Sequence, residues 1–227
     1  MLNCSNIWHR ITGGSELRKR VIVSLFIIGI IGVPIIVGNT LFIAMLFALC
    51  ILATLEYFSI IKKPQFSSIA LIVLVFSCVY YLRFSSGGLQ KIIILSLTIA
   101  FFDTFAYFVG KAIGKRKLAP SISPNKTIEG FVGGIILTTA LLMPLHYLFA
   151  CRLPFIYYVI LVAILCILSQ IGDLIESKFK RKHNVKDSGT IIPGHGGILD
   201  RFDGYIVAAP FFAITNFICS LFNIQIF

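Results

Sequence analysis

IIILSLTIAFFDTFAYFVG, residues 92–110, decides the fold. It is as long as one membrane-crossing helix needs, about 20 residues, and its one charged residue is Asp103. The rest of the chain extends the pattern: of 227 residues, 58% are hydrophobic and only 13% charged. Soluble domains carry about 25% charged residues. This composition excludes a soluble enzyme, a disordered chain and a nucleic-acid-binding domain. It defines an all-α, polytopic integral membrane protein.

Working outward from 92–109, the apolar runs predict further spans at 21–38, 40–61, 66–82, 131–149, 155–175 and 199–222. That makes about seven helices in a single integral membrane domain, 1–227. Residues 1–90 supply unspecific N-terminal helices and 91–227 the chemistry. Gly38-Asn39-Thr40 is so short that the first two spans form a hairpin. The run after the basic N-terminus is too long for a signal peptide, so it is expected to be a retained helix.

The net charge is +11, and of the 20 Lys and Arg residues only Arg83, Lys91 and Arg152 fall on one side of this map. The basic side is cytoplasmic by the positive-inside rule, which puts the N-terminus inside and the C-terminus outside. A basic face also attracts anionic lipids and nucleotide phosphates. The six cysteines contain no CxxC pair and read as small hydrophobes.

The carboxylates are concentrated. Glu16 and Glu56 stand apart, and the other seven of the nine lie at or between the cytoplasmic ends of the last four spans. A carboxylate at membrane depth costs several kcal/mol unless paired or bound to a cation. Asp103, Ala106, Tyr107 and Gly110 share one helix face, a polar and small-residue stripe that lets a helix or ligand come close. After it, Ser123, Asn125, Lys126 and Thr127 on a proline-broken loop offer neutral donors and a point charge to phosphate oxygens.

A second cluster begins at Gly172-Asp173 and runs to Asp203. Asp173 and Glu176 share a helix face, as do Asp200 and Asp203. Between the pairs lies a loop rich in Lys and Arg that contains Gly194, His195, Gly196 and Gly197. Oxygen ligands without cysteine favour Mg²⁺ over zinc. Carboxylates beside cations and close-approach glycines suit a metal–triphosphate complex, although the loop is neither a P-loop nor a GxGxxG turn. His195, flanked by glycines, is a candidate functional histidine.

Ser177-x-x-Lys180-Arg181-x₄-Lys186-Asp187-x-Gly189, followed by Pro193-x-His195-Gly196-Gly197-x-x-Asp200-Arg201-x-Asp203, resembles the signature of the phosphatidate cytidylyltransferases. Asp103-x-x-Ala106-Tyr107-x-x-Gly110 and Ser123-Pro124-x-Lys126-Thr127-x-Glu129-Gly130 resemble another block of that family. The resemblance covers about residues 100–205 and implies transfer of CMP from CTP to phosphatidate, giving CDP-diacylglycerol and pyrophosphate. It maps metal-binding carboxylates onto Asp173 and Asp200, with Asp203 contributing, for Mg²⁺ and room for a second cation. Asp173, Asp200, Lys186, Arg201 and His195 are the expected catalytic set. Lys126, Ser123, Asn125, Ser177, Lys180, Arg181, Gly196 and Gly197 are expected to bind substrate.

The expected partners are CTP, phosphatidate and membrane lipids, with no nucleic acid; a homodimer stays open. The expected location is the inner (plasma) membrane of a bacterium, with the site on the cytoplasmic side. Two alternatives differ in class. A related CTP-dependent lipid kinase, or a lipid cytidylyltransferase with another acceptor, would share the metal chemistry. A cation-coupled transporter also buries carboxylates, but its sites lie near the midplane, not beside loops rich in Lys and Arg.

Overall fold

A computed structural model describes residues 29, 32–61, 65–189 and 197–227. The chain forms α1 (Asn39–Ile60), α2 (Phe66–Phe84), α3 (Gly88–Ile113), a hairpin of β1 (Lys117–Ala119) and β2 (Ser123–Thr127), α4 (Ile128–Leu148), α5 (Phe155–Lys182), the one-turn α6 (Leu199–Phe202) and α7 (Tyr205–Leu221). Among the described residues five helices, α1 to α5, are long and apolar enough to cross a membrane. With 17 residues, α7 is shorter. The molecule is an integral membrane protein of the all-α class, as its composition implies.

Of the predicted span at 21–38, residues 29 and 32–38 are among the described residues and the others lie outside them. Its end is helical through 37, and Gly38 (φ 83°) and Asn39 (φ 40°) turn the chain into α1 through the left-handed region. The expected hairpin connector is therefore present. Two other expectations are corrected. The span at 155–175 runs on to Lys182, so Ser177, Lys180 and Arg181 ride on a helix rather than a loop. The span expected from 199 breaks at Asp203, whose Oδ1 accepts the Gly204 N–H at 2.6 Å; α7 begins only at Tyr205.

The loop around Lys126 is likewise not irregular. β1 and β2 pair antiparallel, with Lys117 opposite Thr127 and Ala119 opposite Ser123. Glu129 accepts the backbone N–H groups of Lys115 (3.0 Å) and Arg116 (3.1 Å), which ties the hairpin to the start of α4. The Thr127 hydroxyl accepts the Gly130 N–H at 3.1 Å and caps that helix. Glu129 is thus a latch for the hairpin.

The helices are apolar on all sides, as a bilayer permits. Phe42, Leu82, Ile94, Phe102, Leu142 and Phe212 fill the interior, while Phe47, Ile136, Leu148 and Ile214 remain exposed on the outside. α3 and α4 approach each other closely. A Cβ on Gly130 would lie 2.5 Å from the Ala106 carbonyl oxygen, and one on Gly134 would lie 3.0 Å from the Ala106 Cβ. Small residues one turn apart on both helices allow this, as is common where lipid gives no hydrophobic drive. Gly130→Leu is expected to wedge α3 from α4 and destabilise the protein by about 1–3 kcal/mol. A thermal melt in detergent would show a lower midpoint, and an unchanged midpoint would refute this close packing.

Candidate active site

The ends of α1, α3 and α5, the hairpin, α6 and the starts of α2, α4 and α7 gather at one end of the bundle. A cavity of about 590 Å³ opens there between α3, the hairpin and α5. The stripe expected on 92–110 faces it: Asp103, Ala106, Tyr107 and Gly110 all line the cavity. Ala106 and Gly110 thus serve twice, admitting α4 on one side and clearing space on the other. Across from them stand Ser123, Asn125, Lys126 and Thr127 of the hairpin, and Asp173 of α5.

Lys126 and Asp173 form an ion pair that joins the hairpin to α5. The second Asp173 oxygen accepts from the Ser177 hydroxyl at 3.2 Å, one turn further along. Lys126 and Arg201 lie within electrostatic reach of Asp103. Asp203 is brought to the same place by α5: a Cβ on Gly172 would lie 2.3 Å from the Asp203 carbonyl oxygen. Burial, with the charges of Asp173 and Asp103 nearby, pushes the Asp203 carboxyl well above the usual carboxylate range. Two carboxylates, Asp103 and Asp173, therefore line the cavity with Asp203 within electrostatic reach of both, and among the described residues Lys126 pairs directly with Asp173.

A second layer lies behind the first. Lys180 Nζ is 2.6 Å from Glu176 Oε2 and 2.6 Å from Asp200 Oδ1. Asp200 also accepts the backbone N–H of Ser188 at 3.0 Å and of Gly197 at 2.9 Å. Burial works against its charge, but Lys180 and these two amides hold its carboxyl below the ordinary range. Asp200 closes a loop whose two ends are 188 and 197. Arg181 hydrogen-bonds the carbonyls of Ile122 (3.4 Å) and Val185 (3.2 Å), strapping the hairpin to the end of α5. Lys186 is exposed just before this loop. His195 and Gly196 lie outside the described residues.

So the structure brings Asp103, Lys126, Ser123, Asn125 and Asp173 to one cavity, with Asp203 beside it. Lys180, Asp200 and Gly197 stand in the supporting layer. Two residues that sequence reasoning passed over also belong here. Gln170 lines the cavity one turn before Asp173, and an amide in the middle of an apolar helix was a readable signal. Glu56 reaches the loop from α1; its charge in an apolar span was equally readable, but its partners, far away in sequence, were not.

Among the described residues no three His, Cys, Asp or Glu side chains converge to cage a metal. Mg²⁺ does not need such a cage. It keeps several waters and is bound through one or two carboxylates plus substrate phosphates. The opposed charges of Asp173, Asp103 and Asp203 fit that mode, and the donor set is all oxygen.

The fold and this site define a membrane-embedded protein with a cavity lined by carboxylates, lysines and neutral donors. A model of the cytidylyltransferase family matches residues 65–219, and the chain belongs to that family. The phosphatidate cytidylyltransferase of Bacillus subtilis (strain 168) is 47% identical over 136 residues, 60% of this chain and 49% of that protein. Its counterpart in Staphylococcus haemolyticus (strain JCSC1435) is 48% identical over 133 residues, 58% and 50% of the two chains. That of Staphylococcus saprophyticus is 43% identical over 164 residues, 67% and 62%. The chain spans about half the length of the first two relatives and somewhat more of the third.

Lys180 has an 11% exposed side chain between two carboxylates exposed to 5% and 12%. Removing one partner of such a buried cluster leaves uncompensated charge and costs about 3–5 kcal/mol. Lys180→Met is therefore expected to lower unfolding stability by about that amount. Adding Glu176→Gln to it should recover part of the loss, since one buried charge goes with the cation. Denaturation in mixed micelles measures both, and an unaffected Lys180→Met protein would exclude the bridge.

Proposed function

We propose that this chain carries the catalytic centre of a phosphatidate cytidylyltransferase, which joins phosphatidate to the CMP part of CTP with release of pyrophosphate. The observation that carries it is the cavity, where the Lys126–Asp173 pair and the hairpin donors face Asp103 at the basic end of a membrane bundle. The family membership and the names of the relatives point the same way.

The chemistry suits such a site. A phosphatidate oxygen forms a new bond to the α-phosphorus of CTP, and the bond from that phosphorus to the pyrophosphate oxygen breaks. The attacking phosphate monoester is largely ionised at neutral pH, its second pKa being about 6, so no strong general base is required. What the site must do is bring two polyanions together and spread the charge on the leaving group. Lys126, Ser123 and Asn125 offer a cation and neutral donors to phosphate oxygens at the cavity. Lys111 also lines the cavity, and Lys186, Arg201, Arg181 and His195 belong to the same signature and are further candidates for phosphate contacts.

Asp173 and Asp200 carry the ligand oxygens expected for Mg²⁺, with Asp203 contributing. Asp173 and Asp203 are the pair whose charges meet, while the Asp200 oxygens are engaged by Lys180, Ser188 and Gly197. When bound, Mg²⁺ would neutralise triphosphate charge and stabilise the leaving pyrophosphate. The basic end is the cytoplasmic end on this reading, in the inner membrane of a bacterium, where a lipid head and a soluble nucleotide can meet.

The test is direct. Purified protein with phosphatidate, radiolabelled CTP and Mg²⁺ is expected to move label into the organic phase as a CDP-lipid. Asp173→Asn is expected to cut turnover by at least about 100-fold, since it removes a ligand charge opposite a phosphate-binding lysine, while the protein still elutes as a folded species. Absence of labelled lipid from the wild-type protein would overturn the reading. Near-normal turnover in Asp173→Asn at saturating Mg²⁺ would remove Asp173 from the metal site.

A further inference from the structure

Glu56 lies on α1, upstream of residue 65 where the family match begins. It is 2% exposed in an otherwise apolar helix. Its Oε2 accepts the backbone N–H of Leu199 at 2.7 Å. Its Oε1 has no hydrogen-bond partner among the described residues and is pressed against two glycines of the signature. A Cβ on Gly189 would lie 2.1 Å from Oε1, and one on Gly197 would lie 1.9 Å from it. The next residue, Tyr57, stacks on Phe179 of α5 with ring centroids 5.8 Å apart, so this part of α1 is docked and not merely adjacent.

Asp200 grips the same neck from the other side through the Ser188 and Gly197 amides. The two ends of the loop are thus clamped between one carboxylate from α6 and one from α1. Gly189 needs no side chain because Glu56 fills the space a side chain would take; all three atoms nearest its Cβ position belong to Glu56.

We propose that Glu56 is the positioning residue of the signature loop, setting through the Leu199 amide and the paired glycines where Asp200 and Asp203 stand relative to Asp173. Its kinetic consequence rests on the cytidylyltransferase reading, whereas its structural consequence does not. The sequence signature is therefore incomplete as a site: its glycines answer to a residue of a helix outside it. Glu56 touches no reacting atom and acts only through the loop.

The experiment combines hydrogen exchange with a double-mutant cycle on the purified full chain. Glu56→Ala is expected to speed amide exchange at Leu199 by at least about tenfold, because a charge-assisted hydrogen bond is lost. Gly189→Ala alone should lower the melting midpoint and kcat, since its methyl meets Glu56. In the Glu56→Ala background the same change should cost nothing further, because the obstacle is gone. Glu56→Gln keeps the size and one acceptor oxygen, so it should retain most activity and leave Gly189→Ala as damaging as before. The kinetic signature is a fall in kcat of about tenfold or more with less than about a twofold change in KM for phosphatidate. Should Glu56→Ala not fold, Glu56→Asp withdraws the carboxylate by one methylene and replaces it in every arm. Additive losses in the cycle, or unchanged exchange at Leu199, would overturn the inference. A wild-type protein that makes no CDP-lipid would instead remove the functional reading, and the exchange and melting arms would still decide the role of Glu56.

Discussion

Much of the site depends on Lys180, whose ammonium lies 2.6 Å from both Glu176 and Asp200. A buried carboxylate pair cannot stand at a membrane boundary without compensation. One cation compensates both, and it sits one turn after Glu176 on the same helix, so the extension of α5 past the expected end of its span is what delivers it. With Asp200 held, its oxygens can take the Ser188 and Gly197 amides, and the loop closes. With the loop closed, Asp203 follows on α6 and meets Gly172. Only then do the carboxylates of the cavity face one another.

This ordering separates two kinds of charge in a region where the sequence shows only a crowd. The inner layer shares one ammonium, that of Lys180, between the carboxylates of Glu176 and Asp200, and it shapes the loop. The cavity layer sets Asp103 and Asp173 beside Lys126 and Lys111, with Asp203 and Arg201 within electrostatic reach. On the proposed reading a divalent cation would lie between these carboxylates, and substrate phosphates would complete its coordination. The surrounding Lys and Arg residues oppose a simple cation-transport role and favour ligands that bring their own negative charge. A polyanion and a cation arriving together satisfy both halves of the electrostatics.

Much of this was legible in the residues. Apolar runs located the helices, because about 20 apolar residues have few fates other than a membrane. The stripe Asp103, Ala106, Tyr107, Gly110 predicted a face that admits a helix or a ligand, and it packs on α4 and lines the cavity. Boundaries were less legible. The end of α5 was masked by Lys178, Lys180 and Arg181, which look like a loop by hydropathy but are good helix formers that extend a helix into water. The break before α7 depends on the Asp203 side chain taking the Gly204 amide, a local bond that competes with helix continuation. The hairpin at 117–127 was hidden by its prolines, and its latch, Glu129, bonds backbone groups that no pattern of side chains reveals.

Glu56 marks the limit of reading by motif. A carboxylate alone in an apolar span is normally read by its neighbours in sequence, and Glu56 has none that matter; its contacts are with Gly189, Gly197 and Leu199. A motif records where side chains are absent as faithfully as where they are present, but it cannot say what occupies the space. Here glycines that suit close approach of a nucleotide also suit close approach of a carboxylate from the first described helix. The steric demand is the same, since both require the backbone to be reached without a Cβ in the way. Which one a glycine serves depends on what the fold packs against it, and in this bundle α1 reaches Gly189 and Gly197 from within. The first helix is thereby joined to the loop by Glu56, the one charged residue that sets it apart from a lipid-facing span.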